Sequence, residues 1–205
     1  MVGIWLVGIE DNTVVWTAKR DDPPVTSNAT TLDLTESGKL LLTTDEQGDE
    51  KIISATMSES ASYACMIDSG NFVLYNKNDS IIWETFRYPT DTILGGQILS
   101  GCQLLSSLSD TNNSTGRYHL KMQIDGNLVL HLVNTLDIET EAYWASGTNG
   151  NNLKYHLYLS HTGILQIINS TSMNNVQHLS SSLEGNSTNT IYHATLDVNG
   201  FFQLY

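Results

Sequence analysis

One short pattern recurs along the chain: a glycine, then alternating apolar residues, then a polar gap, and then an apolar pair that ends in Trp. Its fullest copies lie at residues 69–85 and 125–146, and a degraded copy lies at 37–56. A unit this short cannot bury its apolar face by itself, so several copies must share one core. The repeat therefore predicts a structure built from several small, similar sheets.

The residues inside the repeats alternate between apolar and polar, as they do in half-buried β-strands. In residues 118–132, for example, Leu120, Leu128 and Leu130 fall on one face. Pairs such as Asp125-Gly126 stand where a hairpin turn belongs. No segment has the periodicity of a helix longer than two turns. The sequence therefore predicts an all-β protein.

Grouping the strands by the repeat gives six units, at residues 1–20, 31–56, 63–86, 117–147, 154–182 and 191–205. Residues 86–101 interrupt the series with Pro and paired Gly, which divides the units into two sets of three. We predict that each set closes as a three-sided prism, with Trp5, Trp16 and Trp83 inside the first and Trp144 inside the second.

The first and last units are shorter than the others, since the first lacks the glycine half and the last stops before its Trp half. This favours a fragment of a longer protein. The alternative is a product that does not fold, because strands without partners expose sheet edges.

The net charge of −13, without a segment that clusters Lys or Arg, argues against binding of nucleic acid through its phosphates, and it disfavours docking on an anionic membrane. No segment has the roughly 20 apolar residues of a membrane span, so we expect no membrane contact by this segment. N-glycosylation sequons favour a secreted setting. They begin at Asn28, Asn78, Asn112, Asn113, Asn169 and Asn186. Cys65 and Cys102 form a candidate disulfide, with two separate thiols as the alternative.

Several segments together resemble the bulb-type (mannose-specific, snowdrop-like) lectin domains of plant G-type lectin S-receptor-like serine/threonine kinases. The most specific are TVVWTAKRDDPPV at 13–25 and IIWETFRYPTDTILGGQ at 81–97, and STGRYHLKMQIDGNLVL at 114–130 follows in family order. The resemblance implies two tandem type II β-prism domains, each of three short sheets around a pseudo-threefold axis.

The resemblance also implies the domain limits and the location. The first domain would span residues 1–100 and be truncated at its N-terminus, a linker would span 101–114, and the second domain would span 115–205 and be truncated at its C-terminus. The location would be extracellular, on the apoplastic face of the plasma membrane in a full-length protein. The chain carries none of the protein-kinase motifs, so we expect a non-enzymatic segment.

In the family's sugar-binding members each subsite follows Gln-x-Asp-x-Asn-x-Val-x-Tyr, a spacing that sets alternate side chains on one face of a strand. One place here nearly matches this pattern, with His in place of Tyr. Its residues are Gln123, Asp125, Asn127, Val129 and His131. The alternative is that Asp125-Gly126-Asn127 is only turn chemistry and Gln123 a solvated outward residue.

A degenerate second subsite retains Asn71, Val73 and Tyr75 but lacks the preceding Gln and Asp. No metal site is predicted, since His156 and His161 flank a strand and a turn without a third ligand in pattern. No cofactor is expected either.

We therefore predict an extracellular carbohydrate-binding-like recognition module of a plant receptor-like kinase. Its partner would be a mannose-type glycan or another extracellular ligand, together with a co-receptor or a second copy of the chain. The alternative function is a free, soluble mannose-binding lectin with a defence role.

Overall fold

The computed structural model describes residues 2–7, 13–23, 30–44, 50–54, 59–151, 154–181 and 190–205. Within these ranges the chain is built of β-strands, with two single-turn 3-10 helices at Thr85–Arg87 and Glu139–Glu141. This confirms the all-β class. Neither of these two described helices has the length and apolar character needed to cross a membrane.

The first eight described strands form three antiparallel sheets. Sheet I pairs β1 (Gly3–Leu6) with β2 (Thr13–Thr17). Sheet II contains β3 (Thr31–Leu34), β4 (Leu40–Thr43) and β5 (Glu50–Ile52). Sheet III contains β6 (Tyr63–Met66), β7 (Phe72–Tyr75) and β8 (Ile81–Glu84).

The remaining described strands follow in chain order as β9 (Thr92–Leu94), β10 (Ile98–Leu99), β11 (Gln103–Ser109), β12 (Asn112–Met122), β13 (Leu128–Leu132), β14 (Trp144–Ala145), β15 (Tyr155–Leu159), β16 (Leu165–Asn169), β17 (Asn175–His178), β18 (His193–Leu196) and β19 (Phe202–Leu204). They form three further sheets. Sheet IV has the order β11-β12-β13-β14, sheet V the order β10-β15-β16-β17, and sheet VI the order β19-β18-β9.

The six sheets correspond to the six repeat units, and they enclose two separate apolar cores. Leu40, Leu42, Leu74 and Trp83 lie in the first core, which sheets I to III surround. Leu104, Leu120, Leu157 and Ile167 lie in the second core, which sheets IV to VI surround. Burial of such side chains is the main force that holds the small sheets together, at about 1.5–3 kcal/mol for each large aliphatic residue.

The segment that interrupts the repeat supplies strands to the second set of sheets. β9 pairs with β18, and β10 pairs with β15. The last unit therefore obtains its third strand from residues 92–94 rather than from its own end. The break between the two sets of sheets falls before β9, earlier than residue 100, while the division of the chain into domains stays a prediction.

The tryptophans are only partly where the repeat predicts them. Trp83 is buried, and the half-buried Trp16 meets it edge-on with ring centroids 6.1 Å apart. Trp5 and Trp144 are 38% and 40% exposed, so their predicted interior positions are wrong. Aliphatic side chains fill the second core, and Trp144 lies on the two-residue edge strand β14 at the margin of sheet IV.

Arg20 and Asp21 join the two sets of sheets. The Arg20 side chain is 9% exposed and lies 3.8 Å from the Asp91 carboxylate. The Asp21 carboxylate accepts hydrogen bonds from the backbone N–H and the hydroxyl of Thr115, both at 2.7 Å. The guanidinium also donates to groups of the β11–β12 hairpin, namely Leu105 O, Ser106 O, Ser107 Oγ, Asn113 O and Ser114 O. The two most specific segments of the sequence, 13–25 and 81–97, thus meet at the ion pair between Arg20 and Asp91.

Both cysteines are free, so the candidate disulfide is not formed in this structure. Cys65 is exposed on β6, whereas the Cys102 thiol donates to the Arg87 carbonyl at 3.1 Å. Partial burial raises the pKa of the Cys102 thiol.

Candidate functional site

The glycine of each full repeat closes a hairpin turn, Gly70 between β6 and β7 and Gly126 between β12 and β13. Gly70 and Gly126 have φ angles of 83° and 88°, in the left-handed region that glycine adopts without strain. The turn directs the next residue, Asn71 or Asn127, into the interior, where both are buried. The predicted sugar-binding asparagines therefore lie beneath the surface of their sheets.

The two asparagines make equivalent contacts. The Asn127 carbonyl oxygen accepts from Ser146 Oγ at 3.1 Å and from the Gly147 N–H at 3.0 Å. The Asn71 carbonyl oxygen accepts from Thr85 Oγ1 at 3.0 Å and from the Phe86 N–H at 3.1 Å. Each asparagine thus ties its turn to the end of the last strand of its sheet, β8 or β14, which is a structural task.

The amide nitrogens of the two asparagines differ. Asn71 Nδ2 donates to Glu84 Oε2 at 2.7 Å. Asn127 Nδ2 is buried and has no hydrogen-bond partner among the described residues. An unpaired buried donor costs about 1–3 kcal/mol, so Asn127 bears a cost that Asn71 avoids.

In four sheets a Ser or Thr hydroxyl also joins the end of one strand to the start of the strand before it. The sequence analysis did not predict this feature. Each hydroxyl oxygen accepts from the backbone N–H that opens the second strand of the repeat. The donor–acceptor pairs are Leu40–Ser54 at 3.3 Å, Phe72–Thr85 at 3.0 Å, Leu128–Ser146 at 2.9 Å and Leu165–Ser180 at 2.9 Å. The sequence signal was a Ser or Thr two residues after the repeat Trp, as at Thr85 and Ser146.

The last two residues of the nearly complete pattern, Val129 and His131, are both 0% exposed. Neither ring nitrogen of His131 has a hydrogen-bond partner among the described residues. His119, directly opposite on β12, meets the His131 ring at a centroid distance of 5.1 Å. Burial lowers the pKa of His119, and His131 and Lys121 lower it further against the opposing effect of Asp137.

The connection between β13 and β14 crosses this outer face of sheet IV. Its Asp137 accepts hydrogen bonds from Lys121 Nζ and, at 2.8 Å, from Gln123 Nε2. The Asp137 backbone carbonyl accepts a second bond from Gln123 Nε2 at 3.2 Å, and His131 Nε2 lies 3.9 Å from the carboxylate. Partial burial raises the pKa of Asp137, but the contacts with Lys121, Gln123 and His131 outweigh it and place the pKa below its ordinary value.

Asp125 stands apart from that cluster. It is exposed, and its carboxylate accepts from the Asn127 N–H at 3.0 Å, as in an Asx turn. Of the five predicted residues, the structure thus brings Gln123 and His131 to one carboxylate and places Asp125 and Asn127 in the turn. Lys121 and Asp137 were missed, because neither belongs to the spacing of the pattern.

The degenerate subsite on sheet III has a different outer face. Val73 is fully buried, and the half-buried Tyr75 stacks on Tyr63 with a centroid distance of 5.0 Å. The Tyr63 hydroxyl donates to Asp79 at 2.8 Å, which is the main reason that the pKa of Tyr63 rises to about 12. The arrangement leaves an aromatic side chain accessible at the surface.

The sequons in the described residues lie at the surface or its margin. Asn78 and Asn112 are exposed, whereas Asn113 and Asn169 are half-buried. Asn28 and Asn186 lie outside the described residues. Within those residues no group of three His, Cys, Asp or Glu side chains has the arrangement of a metal site.

Comparison with known proteins gives matches for part of the chain and for all of it. Residues 13–104 match the family model described as D-mannose binding lectin. A G-type lectin S-receptor-like serine/threonine-protein kinase of Oryza sativa subsp. japonica is 36% identical over 214 aligned positions, which cover 100% of this chain and 25% of the relative. A kinase of the same description from Arabidopsis thaliana is 31% identical over 179 positions, covering 82% of this chain and 21% of the relative.

Solved lectin structures give partial matches. A mannose-specific lectin from Dutch crocus (Crocus vernus) is 27% identical, with a TM-score of 0.42 over 56% of this chain and 88% of that chain. The snowdrop (Galanthus nivalis) agglutinin complexed with methyl-α-D-mannoside is 23% identical, with a TM-score of 0.43 over 56% of this chain and 88% of that chain. The chain spans about a quarter of the length of the receptor-kinase relatives that it matches along its whole length.

Proposed function

The chain is a bulb-type lectin relative of plant G-type lectin S-receptor-like kinases, and we propose that it serves as an extracellular carbohydrate-recognition segment of such a receptor. It would act by binding rather than by chemistry, and binding would change the association of the receptor with a co-receptor or with a second copy. Its two sets of sheets would form two tandem lectin-like domains.

The observation that carries this proposal is the alignment of the whole chain with receptor-like kinases, combined with a lectin match over residues 13–104. The outer faces of sheets III and IV supply groups suited to sugars. Sheet III offers an aromatic surface at Tyr63, and sheet IV holds amide, ammonium and imidazole groups that Asp137 covers. Aromatic rings pack on the carbon faces of pyranoses, and such polar groups bind hydroxyl or carboxylate oxygens.

The alternative of a free, soluble mannose-binding lectin is less well supported. The relatives that align along the whole chain are receptor kinases, and the best-preserved pattern has Asn127 and Val129 buried. A mannose ligand on sheet IV would have to displace Asp137 first.

A glycan screen of the purified chain tests the proposal, followed by calorimetric titration of each hit. The panel should contain mannose, mannobiose and wall-derived neutral and acidic oligosaccharides. We expect binding of at least one class at roughly millimolar strength for a single ring, about −4 kcal/mol. A chain that binds no glycan, either as wild type or with Asp137 replaced, would contradict the proposed function.

Substitution of Asn127 is a poor probe of a sugar site, since it would remove a structural tie. Gln123→Ala is a better probe, because Gln123 is half-buried and the hydrogen bonds of its side-chain amide go to Asp137. Its fold should be verified by circular dichroism, since a loss of binding counts only in a folded chain.

A further inference from the structure

Three side chains of sheet IV converge on one carboxylate. Lys121 and Gln123 donate to Asp137, and His131 Nε2 lies 3.9 Å from it. Lys121 lies on β12, Gln123 directly follows β12, and His131 lies on β13, whereas Asp137 comes from the β13–β14 connection. The converging groups are a cation, an amide and an imidazole, a combination suited to an anionic oxygen.

The burial of His131 is a second, independent sign of a ligand site. The side chain is 0% exposed, and both of its ring nitrogens are buried without a hydrogen bond among the described residues. A buried polar group without a partner destabilises the fold and calls for a functional explanation. The imidazole would be satisfied by an oxygen that came closer than the 3.9 Å of Asp137.

We infer that the outer face of β12–β13 is a carboxylate-recognition site for a uronic acid, which the chain's own Asp137 occupies until an acidic glycan displaces it. The inference rests on the proposed function, and it changes the ligand class from the neutral mannose of the pattern to an acidic sugar. A neutral hydroxyl would leave the Lys121 ammonium without a counter-charge once Asp137 is displaced. A uronate carboxylate would replace that counter-charge, and its ring hydroxyls would remain for Gln123.

The internal carboxylate sets how tightly an external ligand binds. A tethered group acts at an effective concentration on the order of millimolar or above, so a single uronate ring competes poorly with Asp137. A polymer with several uronate residues would compete better, through multivalency. Asp137 is 40% exposed and Lys121 38% exposed, so the internal pair is screened by solvent and can open.

Asp137→Ala and Asp137→Asn remove the competing charge, and binding of galacturonate, mannose and acetate to each is measured by calorimetry. We expect both variants to bind galacturonate at least about tenfold more tightly than the wild type. Binding should weaken between low and high salt, because the attraction is electrostatic. Acetate distinguishes a plain carboxylate site from a uronate site, and we expect it to bind more weakly than galacturonate.

The Asp137→Ala/Lys121→Met double variant should lose the gain, because the cation is gone. Asp110→Ala, at an exposed turn of the β11–β12 hairpin, is the matched control and should bind as the wild type does. Asp137→Asn keeps the size and the acceptor oxygen, so the test remains valid if Asp137→Ala loses its fold.

Each other outcome overturns the inference in a recognisable way. Variants that bind mannose but not galacturonate would reject the acidic ligand and leave the proposed function intact. The acidic ligand would also be rejected if the Asp137 variants bound galacturonate no better than the wild type. The same holds if the double variant kept the tighter binding of galacturonate. If the glycan screen succeeds with no dependence on Asp137 or Lys121, recognition occurs elsewhere on the chain. If neither the wild type nor the Asp137 variants bind any glycan, both proposals fail.

Discussion

Sheets III and IV are built from the two fullest copies of the repeat, yet their outer faces differ. In both, an asparagine after the glycine turn ties the start of β7 or β13 to the end of β8 or β14. In both, the next outward residue is a buried valine, Val73 or Val129. The faces diverge two residues later, where Tyr75 is half-buried and His131 is fully buried.

The cause of the difference is the connection to the last strand of each sheet, β7 to β8 in sheet III and β13 to β14 in sheet IV. In sheet III it runs only from residue 76 to 80 and turns back at the end of the strands. In sheet IV it runs from 133 to 143, which is long enough to cross the face and set Asp137 on Lys121 and Gln123. The same strand pattern therefore gives an open aromatic surface in one place and a covered polar site in the other.

The largest expected effect concerns the junction between the set of sheets that contains sheet III and the set that contains sheet IV. It tests whether the two sets unfold together. Arg20→Met leaves Asp91 without its cation and leaves five hydrogen-bond acceptors of the second set without their donor. We expect a loss of about 3 kcal/mol in the free energy of unfolding. Urea unfolding should also separate into two transitions. The exposed Arg117→Met is the control, and a single unchanged transition for Arg20→Met would show that the junction does not couple the two sets.

The next effect tests whether the two asparagines are structural in both sheets. Asn71→Ala leaves the buried Thr85 hydroxyl and a backbone N–H without their acceptor, at about 1–3 kcal/mol. Asn127→Ala removes the acceptor of the half-buried Ser146 hydroxyl and of the Gly147 N–H, but Ser146 Oγ keeps its contact with Thr148 Oγ1 at 2.8 Å. Asn71→Ala should cost more, because it also removes the bond to Glu84. Urea midpoints measure both, with the exposed Asn174→Ala as control. An unchanged urea midpoint for Asn127→Ala would contradict the structural role of Asn127 and leave its role in sugar binding open to test.

Exchanging the residues at which the faces diverge should give unequal losses. His131→Tyr places a larger ring in a fully buried position under the β13–β14 connection, and overpacking of this kind costs about 1–3 kcal/mol. Tyr75→His removes one ring of the stacked pair at the surface and should cost clearly less. Thermal and urea unfolding of both variants measure the difference. Equal costs would mean that the connection does not close the face of sheet IV.

The smallest effect is a histidine-dependent loss of stability at low pH, which sheet IV should carry and sheet III should not, since sheet III contains no histidine. Burial lowers the pKa of His119, which faces His131, Lys121 and Asp137. The unfolded chain therefore takes up a proton near pH 6.5 while folded His119 stays neutral, so its contribution to stability is complete above that pH. That contribution is lost as the pH falls through the folded pKa.

The measurement is the free energy of unfolding between pH 8 and 5. We expect the free energy of unfolding of His119→Gln to decline less toward pH 5 than that of the wild type. The control His178→Gln, at an exposed residue, should decline as the wild type does. His156 and His193, whose pKa values burial also lowers, keep some of the decline in every variant. An identical slope for His119→Gln would assign the whole dependence to those two residues.

The repeat was sufficient to predict the strands and turns within its own units, because period-two alternation and glycine turns are local properties. It did not predict β9, β10 and β11, which lie between the units and complete sheets IV to VI. It placed Gln123 and His131 on one face correctly. It could not predict that Asn127 faces inward, since the same Asp-Gly-Asn letters suit a sugar site and a structural turn. It also could not find Asp137, because no spacing connects that residue with Lys121.

The sequence by itself determined the all-β class and the pairing of neighbouring strands, since both follow from alternation and turn residues within a few positions. Only the tertiary structure decided that β9 completes sheet VI, that Trp144 stays at the margin, and that Asp137 covers the face of sheet IV. Each of these depends on contacts between residues far apart in the chain. Burial and charge pairing act through distance in space, which one-dimensional spacing does not record.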